Sequence, residues 1–213
     1  FFGATYVADA FNVGFQIPNL LRKLFGEGAL SAAFIPIYSE IAVTKSRKEQ
    51  ISFALNILSL LTFILLILAL IGIIAAPLIV KIMAPGFDYQ SHELTVKLTR
   101  WMFPYLLLIG LSSTLISILN YHNYFFIPGL SSALLNVGMI SLLLGSLLIE
   151  ASTPEEKILI LSWGVLVGGV LQTIVNFPLL AKIGYRIKIQ LKLNNEAALR
   201  DLWRRFIPGV LGL

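Results

Sequence analysis

Apolar residues fall in long blocks along the chain, separated by short polar segments or by segments with Pro and Gly. A helix needs about 20 such residues to cross the hydrocarbon core of a bilayer. The blocks predict spans over residues 5–43, 51–83, 93–120, 128–149 and 156–181, and the start of a further span over 197–213. They do not alternate apolar and polar residues as the strands of a membrane barrel do. Because a lipid-exposed backbone must satisfy its own hydrogen bonds, we expect an all-α, polytopic membrane helix bundle.

The first block differs from the others because polar residues interrupt it. It carries Pro18 and Pro36, and between them lie Arg22, Lys23 and Glu27 with flanking glycines. Proline inside a helix removes a backbone hydrogen bond and kinks or ends the helix. We therefore expect residues 5–43 to form a broken helix.

A helix start is predicted before the fifth block. Ser152 and Thr153 precede Pro154, Glu155 and Glu156. A Ser or Thr cap followed by early acidic residues is typical of a helix N-terminus.

Small and aromatic residues within the blocks predict how the spans pack. Gly168 and Gly169 lie inside the fifth block, where small residues usually allow two helices to approach closely. Trp101, Tyr105 and Trp163 are expected in the aromatic belts at the membrane interfaces.

Lys and Arg collect in two of the segments between blocks, which indicates the orientation of the chain. Cytoplasmic loops of membrane proteins carry an excess of these residues. The loop after the first block and the segment after the fifth should therefore lie inside, and the acidic loop between the fourth and fifth blocks lies outside by alternation. The basic residues are Lys45, Arg47, Lys48, Lys182, Arg186, Lys188 and Lys192, and the acidic ones are Glu150, Glu155 and Glu156.

Composition excludes several classes of function. Hydrophobic residues make up 57% of the chain and charged residues only 13%, whereas a soluble domain carries about 25% charged residues. The net charge of +5 lies largely in the predicted cytoplasmic loops, so it does not indicate nucleic-acid binding. The chain has no cysteine, and His92 and His122 are predicted in loops on opposite membrane faces, which argues against a metal site. No Ser, His and Asp set indicates a hydrolase, so we expect neither an enzyme nor a cofactor.

Asp9, Arg22, Lys23 and Glu27 are ionisable residues that fall within the first block. Charges within a membrane span are costly and are functional candidates by default. In one interpretation, Arg22 and Lys23 extend to an interface while Asp9 and Glu27 form ion pairs or caps. In the other, the broken helix binds an anionic group such as phosphate, for which guanidinium supplies a two-pronged donor and lysine a point charge. Composition does not decide between them.

Specific motifs run through the whole chain. The first block holds Asp9–Phe11, Ile17–Ala29 (IPNLLRKLFGEGA) and Ala33–Ile37 (AFIPI). These runs resemble the second transmembrane helix of the MurJ (MviN) lipid II flippases, a family of the MOP exporter superfamily. Further matching motifs follow in order at Ala84–Phe87, Phe103–Tyr105, Leu119–Asn120, Pro128, Leu135–Asn136, Gly168–Gln172 and Pro208–Gly212.

The resemblance implies a fourteen-helix transporter of the bacterial inner membrane with two lobes that alternate access, a fold like that of MATE exporters. It implies translocation of lipid II, the undecaprenyl-pyrophosphate-linked peptidoglycan precursor, with membrane lipids and cell-wall synthesis proteins as further partners. The chain begins at Phe1 without Met and stops within an apolar run. We therefore expect it to be a fragment, the N-terminal lobe.

The resemblance also implies roles for single residues. Arg22 matches the family's cavity arginine and Asp9 its acidic position on the same helix, and we expect Arg22 to bind the pyrophosphate while Asp9 screens the charge. Lys23 is a third substrate-binding candidate, although relatives more often have Arg there. Lysine keeps the positive charge but lacks the two-pronged donor geometry of a guanidinium. Structural or gating roles are expected for Pro18, Asn19, Glu27 and Gly28.

Three alternatives stay open. A related exporter of the same superfamily could move other lipid-linked oligosaccharides or drugs, although the Pro18–Arg22 motif (PNLLR) argues against it. A non-transporting membrane scaffold could use the charged helix for packing alone. A membrane enzyme acting on lipid-linked sugars is disfavoured because no catalytic set of residues is present.

Overall fold

The computed structural model describes residues 2–3, 5–25, 29–148, 153–186, 188, 200–201, 204 and 206, with the backbone alone at residues 17, 21–25 and 29–31. Within these residues the chain is helical and has no strand, so the predicted all-α fold is confirmed. The helices are α1 (Tyr6–Phe25), α2 (Ala29–Thr44), α3 (Arg47–Met83), α4 (Tyr89–Met102), α5 (Tyr105–Tyr121), α6 (Phe126–Gly145), α7 (Pro154–Ile174) and α8 (Phe177–Lys182).

The polar interruptions of the sequence set the ends of these helices. Ser46 caps α3 and exchanges hydrogen bonds with Glu49, and Thr153 caps α7 in the same reciprocal way with Glu156. The predicted cap at Thr153 is therefore confirmed. The first block forms α1 and α2, and residues 26–28, where the break was predicted, lie outside the described residues. The same is true of most of the predicted span 197–213.

Four helical segments in the described part of the chain are long and apolar enough to cross a membrane: Arg47–Met83, Tyr89–Tyr121, Phe126–Gly145 and Pro154–Lys182. The side chains of Ile74, Leu78 and Ile82 recur every fourth residue of α3 and are 78%, 62% and 71% exposed. A stripe of this kind lies along one face of a helix, and its contact with water would be unfavourable, whereas lipid tails are as apolar as the side chains. The exposed face of α3 therefore suits a lipid environment.

Glycine brings α6 and α7 into close contact. A Cβ at Gly168 would lie 2.6 Å from the carbonyl oxygen of Leu135, so the two helices cross with their backbones touching. The predicted packing role of Gly168 is confirmed. Gly169 instead faces α5, where a Cβ would come 2.8 Å from the ring of Tyr105.

The expected place of Tyr105 in an aromatic belt is wrong. Its side chain is fully buried in a cluster that joins α1, α4, α5 and α7. The tyrosine fills the space that Gly169 leaves, a contact between distant residues that a search for interfacial aromatics does not detect. Trp101 and Trp163 contact each other with ring centroids 5.3 Å apart, and Trp163 is exposed.

Candidate functional site

The two faces of α1 differ sharply in polarity. Val7, Ala10 and Phe11 are buried against α4, α5 and α7, and Pro18 is buried on the same face further along. On the opposite face Asp9, Asn12, Gln16 and Leu20 are exposed. Their spacing of three or four residues places them on one stripe of the helix. A helix that buries its apolar face and leaves a mostly polar stripe open is suited to line a water-filled path between lobes.

Gly14 lies at a close contact of α1 with α4. A Cβ at Gly14 would lie 3.2 Å from Oγ1 of Thr99 and 3.4 Å from Cβ of Leu98, so glycine permits the close approach. Pro18 has no N–H to donate to the carbonyl of Gly14. Oγ1 of Thr99 is buried and makes no hydrogen bond within the part of the chain that the structure describes. Among the described residues, the contact at Gly14 is therefore close and has no hydrogen bond from the Thr99 hydroxyl.

The predicted site residues are spread along α1 and beyond its end. Asp9 is exposed near the start of the helix, and Asn19 is half-buried. Arg22 and Lys23 occupy its last turn, where the structure describes the backbone alone. Glu27 and Gly28 lie outside the described residues. The structure therefore places Asp9, Pro18, Asn19, Arg22 and Lys23 on one helix and leaves their proposed roles untested.

Asp9 and Arg22 lie at different depths along α1. They are separated by thirteen residues of one helix, which corresponds to about 20 Å along the axis at 1.5 Å per residue. The expected screening of the Arg22 charge by Asp9 stays a prediction, because the structure describes only the backbone of Arg22.

Polar contacts fasten the outer end of α1. The Tyr6 hydroxyl donates to the Glu155 carboxylate at the start of α7, and the Gln90 amide of α4 donates to the Tyr6 oxygen at 2.9 Å. The charge pattern of the loops predicts that this end faces the outside. Tyr6 thus joins three helices at the outer surface.

A second polar cluster fastens the inner end of the bundle. The Tyr38 hydroxyl of α2 contacts the Tyr185 hydroxyl, and it lies 3.1 Å from Nε2 of His122 at the end of α5. Arg47, at the start of α3, donates to the Ile183 carbonyl at 2.7 Å and lies over the Tyr185 ring. We name Tyr38, Arg47, His122 and Tyr185 the inner clamp, because they join the inner ends of α2, α3, α5 and the segment after α8.

The inner clamp favours the neutral form of His122. Burial, and then the positive charge of the nearby Arg47, hold the pKa of the imidazole below its ordinary value. A neutral ring can accept a hydrogen bond at Nε2 from the Tyr38 hydroxyl. A protonated ring would instead place a second positively charged donor beside the guanidinium of Arg47.

Sequence reasoning missed the inner clamp. Arg47 was assigned only to the positive loop and His122 was considered only as a metal ligand. Nothing in the local sequence joins Tyr38 to Tyr185, which lies 147 residues later. Their adjacency follows from the packing of α2 against α5 and of α5 against α8.

Sequence reasoning also overlooked two cations on α4, although both lie within the predicted span 93–120. Arg100 donates from Nε to the Ile73 carbonyl of α3 at 3.2 Å, and Lys97 lies 5.8 Å from the centre of the Trp101 ring. Both side chains are exposed. These local partners give the two charges a packing role. Among the described residues no group of His, Asp and Glu is arranged to hold a metal ion.

Comparison with known proteins shows which family this chain resembles. The family model described as "Lipid II flippase MurJ" matches residues 1–213. A "Probable lipid II flippase MurJ" from Buchnera aphidicola subsp. Acyrthosiphon pisum is 39% identical over 213 residues, which cover 99% of this chain and 41% of the relative. A "Lipid II flippase MurJ" from Burkholderia cenocepacia is 37% identical over 184 residues, covering 85% of this chain and 35% of the relative.

A solved structure agrees with the sequence relatives. The chain is similar to "Lipid II flippase MurJ, inward closed conformation", with a TM-score of 0.71 and 27% identity over 97% of this chain and 42% of that structure. The chain thus spans about two fifths of the length of the relatives that it matches.

Proposed function

The chain belongs to the MurJ lipid II flippase family, and on that premise we propose that it forms the N-terminal lobe of a lipid II flippase. In this proposal the protein lies in the bacterial inner membrane and moves lipid II from the cytoplasmic to the outer leaflet by alternating access. It carries out no covalent chemistry. Cell-wall synthesis proteins that use lipid II are its expected partners.

The observation that carries this proposal is the open polar stripe of α1. The stripe of Asp9, Asn12, Gln16 and Leu20 leads along the helix toward position 23, because a repeat of 3.6 residues continues the same face from 16 and 20 to 23. A helix that faced only lipid or only other helices would have no use for such a stripe. The stripe supports a hydrophilic path between two lobes, with α1 as one wall.

We propose that Arg22 and Lys23 bind the pyrophosphate of lipid II. A diphosphate carries several negative charges, and burying it in a membrane requires cations that replace its water. The guanidinium of arginine offers two parallel donors to phosphate oxygens, and a lysine ammonium adds a compact charge. Successive helix positions lie about 100° apart, so at most one of the two side chains would point straight into the path while the other reaches the pyrophosphate from the edge of that face.

The depth of the two cations supports this role. By the orientation of the loops, α1 starts at the outer surface and α2 ends at the inner one, and Arg22 lies close to halfway along the 39 residues from Tyr6 to Thr44. Transporters commonly bind substrate near the bilayer midplane, where a helix is interrupted. Pro18, Asn19, Glu27 and Gly28 would shape that interruption.

We propose that Asp9 acts at the outer end of the path. Its position about 20 Å from Arg22 along α1 separates it from the pyrophosphate that Arg22 would bind near the bilayer midplane. A carboxylate there would repel the pyrophosphate as it passes outward and so favour its release over rebinding.

Depletion of the protein in its own cells tests the function. If it is the flippase, lipid II accumulates in the inner leaflet when the protein is removed, and the purified full-length protein moves lipid II across vesicle membranes. A non-transporting scaffold would leave the rate at which lipid II crosses the vesicle membrane the same as in vesicles without the protein. A related exporter would move another lipid-linked oligosaccharide in the same vesicles and not lipid II.

A further inference from the structure

An apolar groove lies between α3, α5 and the α7–α8 turn, away from the polar stripe of α1. It encloses about 230 Å³. Its floor consists of Leu55, Leu58 and Leu115, which also belong to the buried core, and its rim includes the exposed rings of Phe63 and Phe177. The groove therefore opens at the surface of the described helices rather than into their core.

The hydroxyls in this groove are already satisfied by the helices that carry them. Ser59 donates to the Leu55 carbonyl at 2.8 Å, Thr62 to the Leu58 carbonyl at 2.7 Å and Thr173 to the Gly169 carbonyl at 2.8 Å. A buried water needs two to four polar partners, and these hydroxyls, whose O–H groups are already used, can offer water only their remaining lone pairs. Because the space holds far more than one water, its natural occupant is hydrocarbon.

The length of the groove matches one leaflet of a membrane. From Leu55 to Leu66, the two ends of its wall on α3, the helix rises about 16 Å at 1.5 Å per residue. One leaflet contributes about half of a hydrocarbon core that is about 30 Å thick. The groove lies in the half of α3 that begins at Arg47, which the loop charges assign to the cytoplasmic side.

A cation lies at the groove among these apolar residues. Lys188 lines it and is exposed. Lys188 follows the segment that Arg47 holds at the start of α3 through the carbonyl of Ile183, and the loop charges assign that end of α3 to the cytoplasmic side. Lysine beside a membrane surface attracts the phosphates of anionic lipids.

We propose that this groove binds an acyl chain of an anionic phospholipid from the cytoplasmic leaflet, with the lipid phosphate at Lys188. The apolar floor receives the chain, and the lysine selects an anionic headgroup over a zwitterionic one. The site is separate from the path along α1 and does not depend on which substrate the protein moves.

Photo-crosslinking in vesicles tests this proposal. The full-length protein is placed in phosphatidylcholine vesicles that contain a minor fraction of phosphatidylglycerol with a photoactivatable acyl chain, and the crosslinked peptides are identified. We expect peptides 55–66 to be labelled about fivefold more than the lipid-facing stripe at Ile74, Leu78 and Ile82, the enrichment that one lysine gives near an anionic headgroup. Photoactivatable phosphatidylcholine should label both faces equally.

Two matched variants separate the lysine from general surface charge. Lys188→Gln should lower the labelling of the groove to that of the stripe, while Arg186→Gln, an exposed cation outside the groove lining, should leave it unchanged. Both variants should keep the unfolding midpoint of the unaltered protein. Equal labelling of the two faces, or labelling insensitive to Lys188→Gln, overturns the proposal. So does an unlabelled groove beside a labelled stripe, because the groove would then be covered by protein.

Discussion

A Cβ at Gly138 of α6 would lie 2.5 Å from the Cα of Gly168 on α7. Real Cβ atoms do not approach a backbone so closely, so the backbone of one helix must move if either residue gains a side chain. The crossing of α6 and α7 thus depends on the absence of side chains at two positions that lie thirty residues apart in the sequence.

Gly138→Ala should destabilise the protein. The added methyl group would separate α6 from α7, and overpacking of this kind costs about 1–3 kcal/mol. Gly129→Ala is the matched control, because this glycine also lies in α6 and a Cβ there meets nothing within 4 Å. The unfolding midpoint in detergent should fall for Gly138→Ala alone. Equal midpoints for the two variants would show that the helices do not cross at these glycines.

Thr153→Ala should weaken the start of α7. The Thr153 side chain accepts a hydrogen bond from the Glu156 N–H, and the Glu156 carboxylate accepts one from the Thr153 N–H. Loss of a cap of this kind costs about 1 kcal/mol. Thr153→Asp keeps an acceptor at the same place and should retain most of the stability. Chemical unfolding of both variants measures the difference, and a loss as large with Asp as with Ala would contradict the capping role.

The inner clamp should weaken in acid. Because the folded pKa of His122 lies below its ordinary value, the folded state binds fewer protons than the unfolded state between the two values. The contribution of neutral His122 is complete above the ordinary pKa of about 6.5 and decreases as the pH falls from there toward the folded pKa. Arg47, Tyr38, Tyr121 and Tyr185 surround the ring, and none of them supplies a negative charge at neutral pH to offset its protonation.

His122→Gln measures this effect, because glutamine offers an acceptor that does not titrate. The unfolding midpoints of both proteins are compared at about pH 7.5 and about pH 5.5, on either side of the ordinary histidine pKa. The unaltered protein should lose more stability on acidification than the variant does. An identical loss in both proteins would show that His122 does not cause the loss of stability in acid.

Local sequence signals predicted part of this structure, and contacts between distant residues determined the rest. The cap at Thr153 and the close approach at Gly168 follow from residue types at single positions, so they could be predicted. The burial of Tyr105 depends on Gly169, and the clamp at Tyr38 depends on Tyr185, so neither has a local signal. The candidate site could be predicted only in part. The charges of α1 are evident in the sequence, but the polar stripe could be recognised only once the structure showed which face of α1 is buried.

The central proposal is that Arg22 binds the pyrophosphate of lipid II. The most direct test is the rate of lipid II translocation in vesicles that contain the full-length protein with Arg22→Ala, Arg22→Lys or the control Arg186→Ala. Hydrogen bonds to a charged group contribute about 1.5–3 kcal/mol, so Arg22→Ala should slow translocation by about tenfold or more, with Arg22→Lys intermediate and Arg186→Ala unchanged. If Arg22→Ala folds normally and moves lipid II as fast as the unaltered protein, Arg22 does not bind the pyrophosphate.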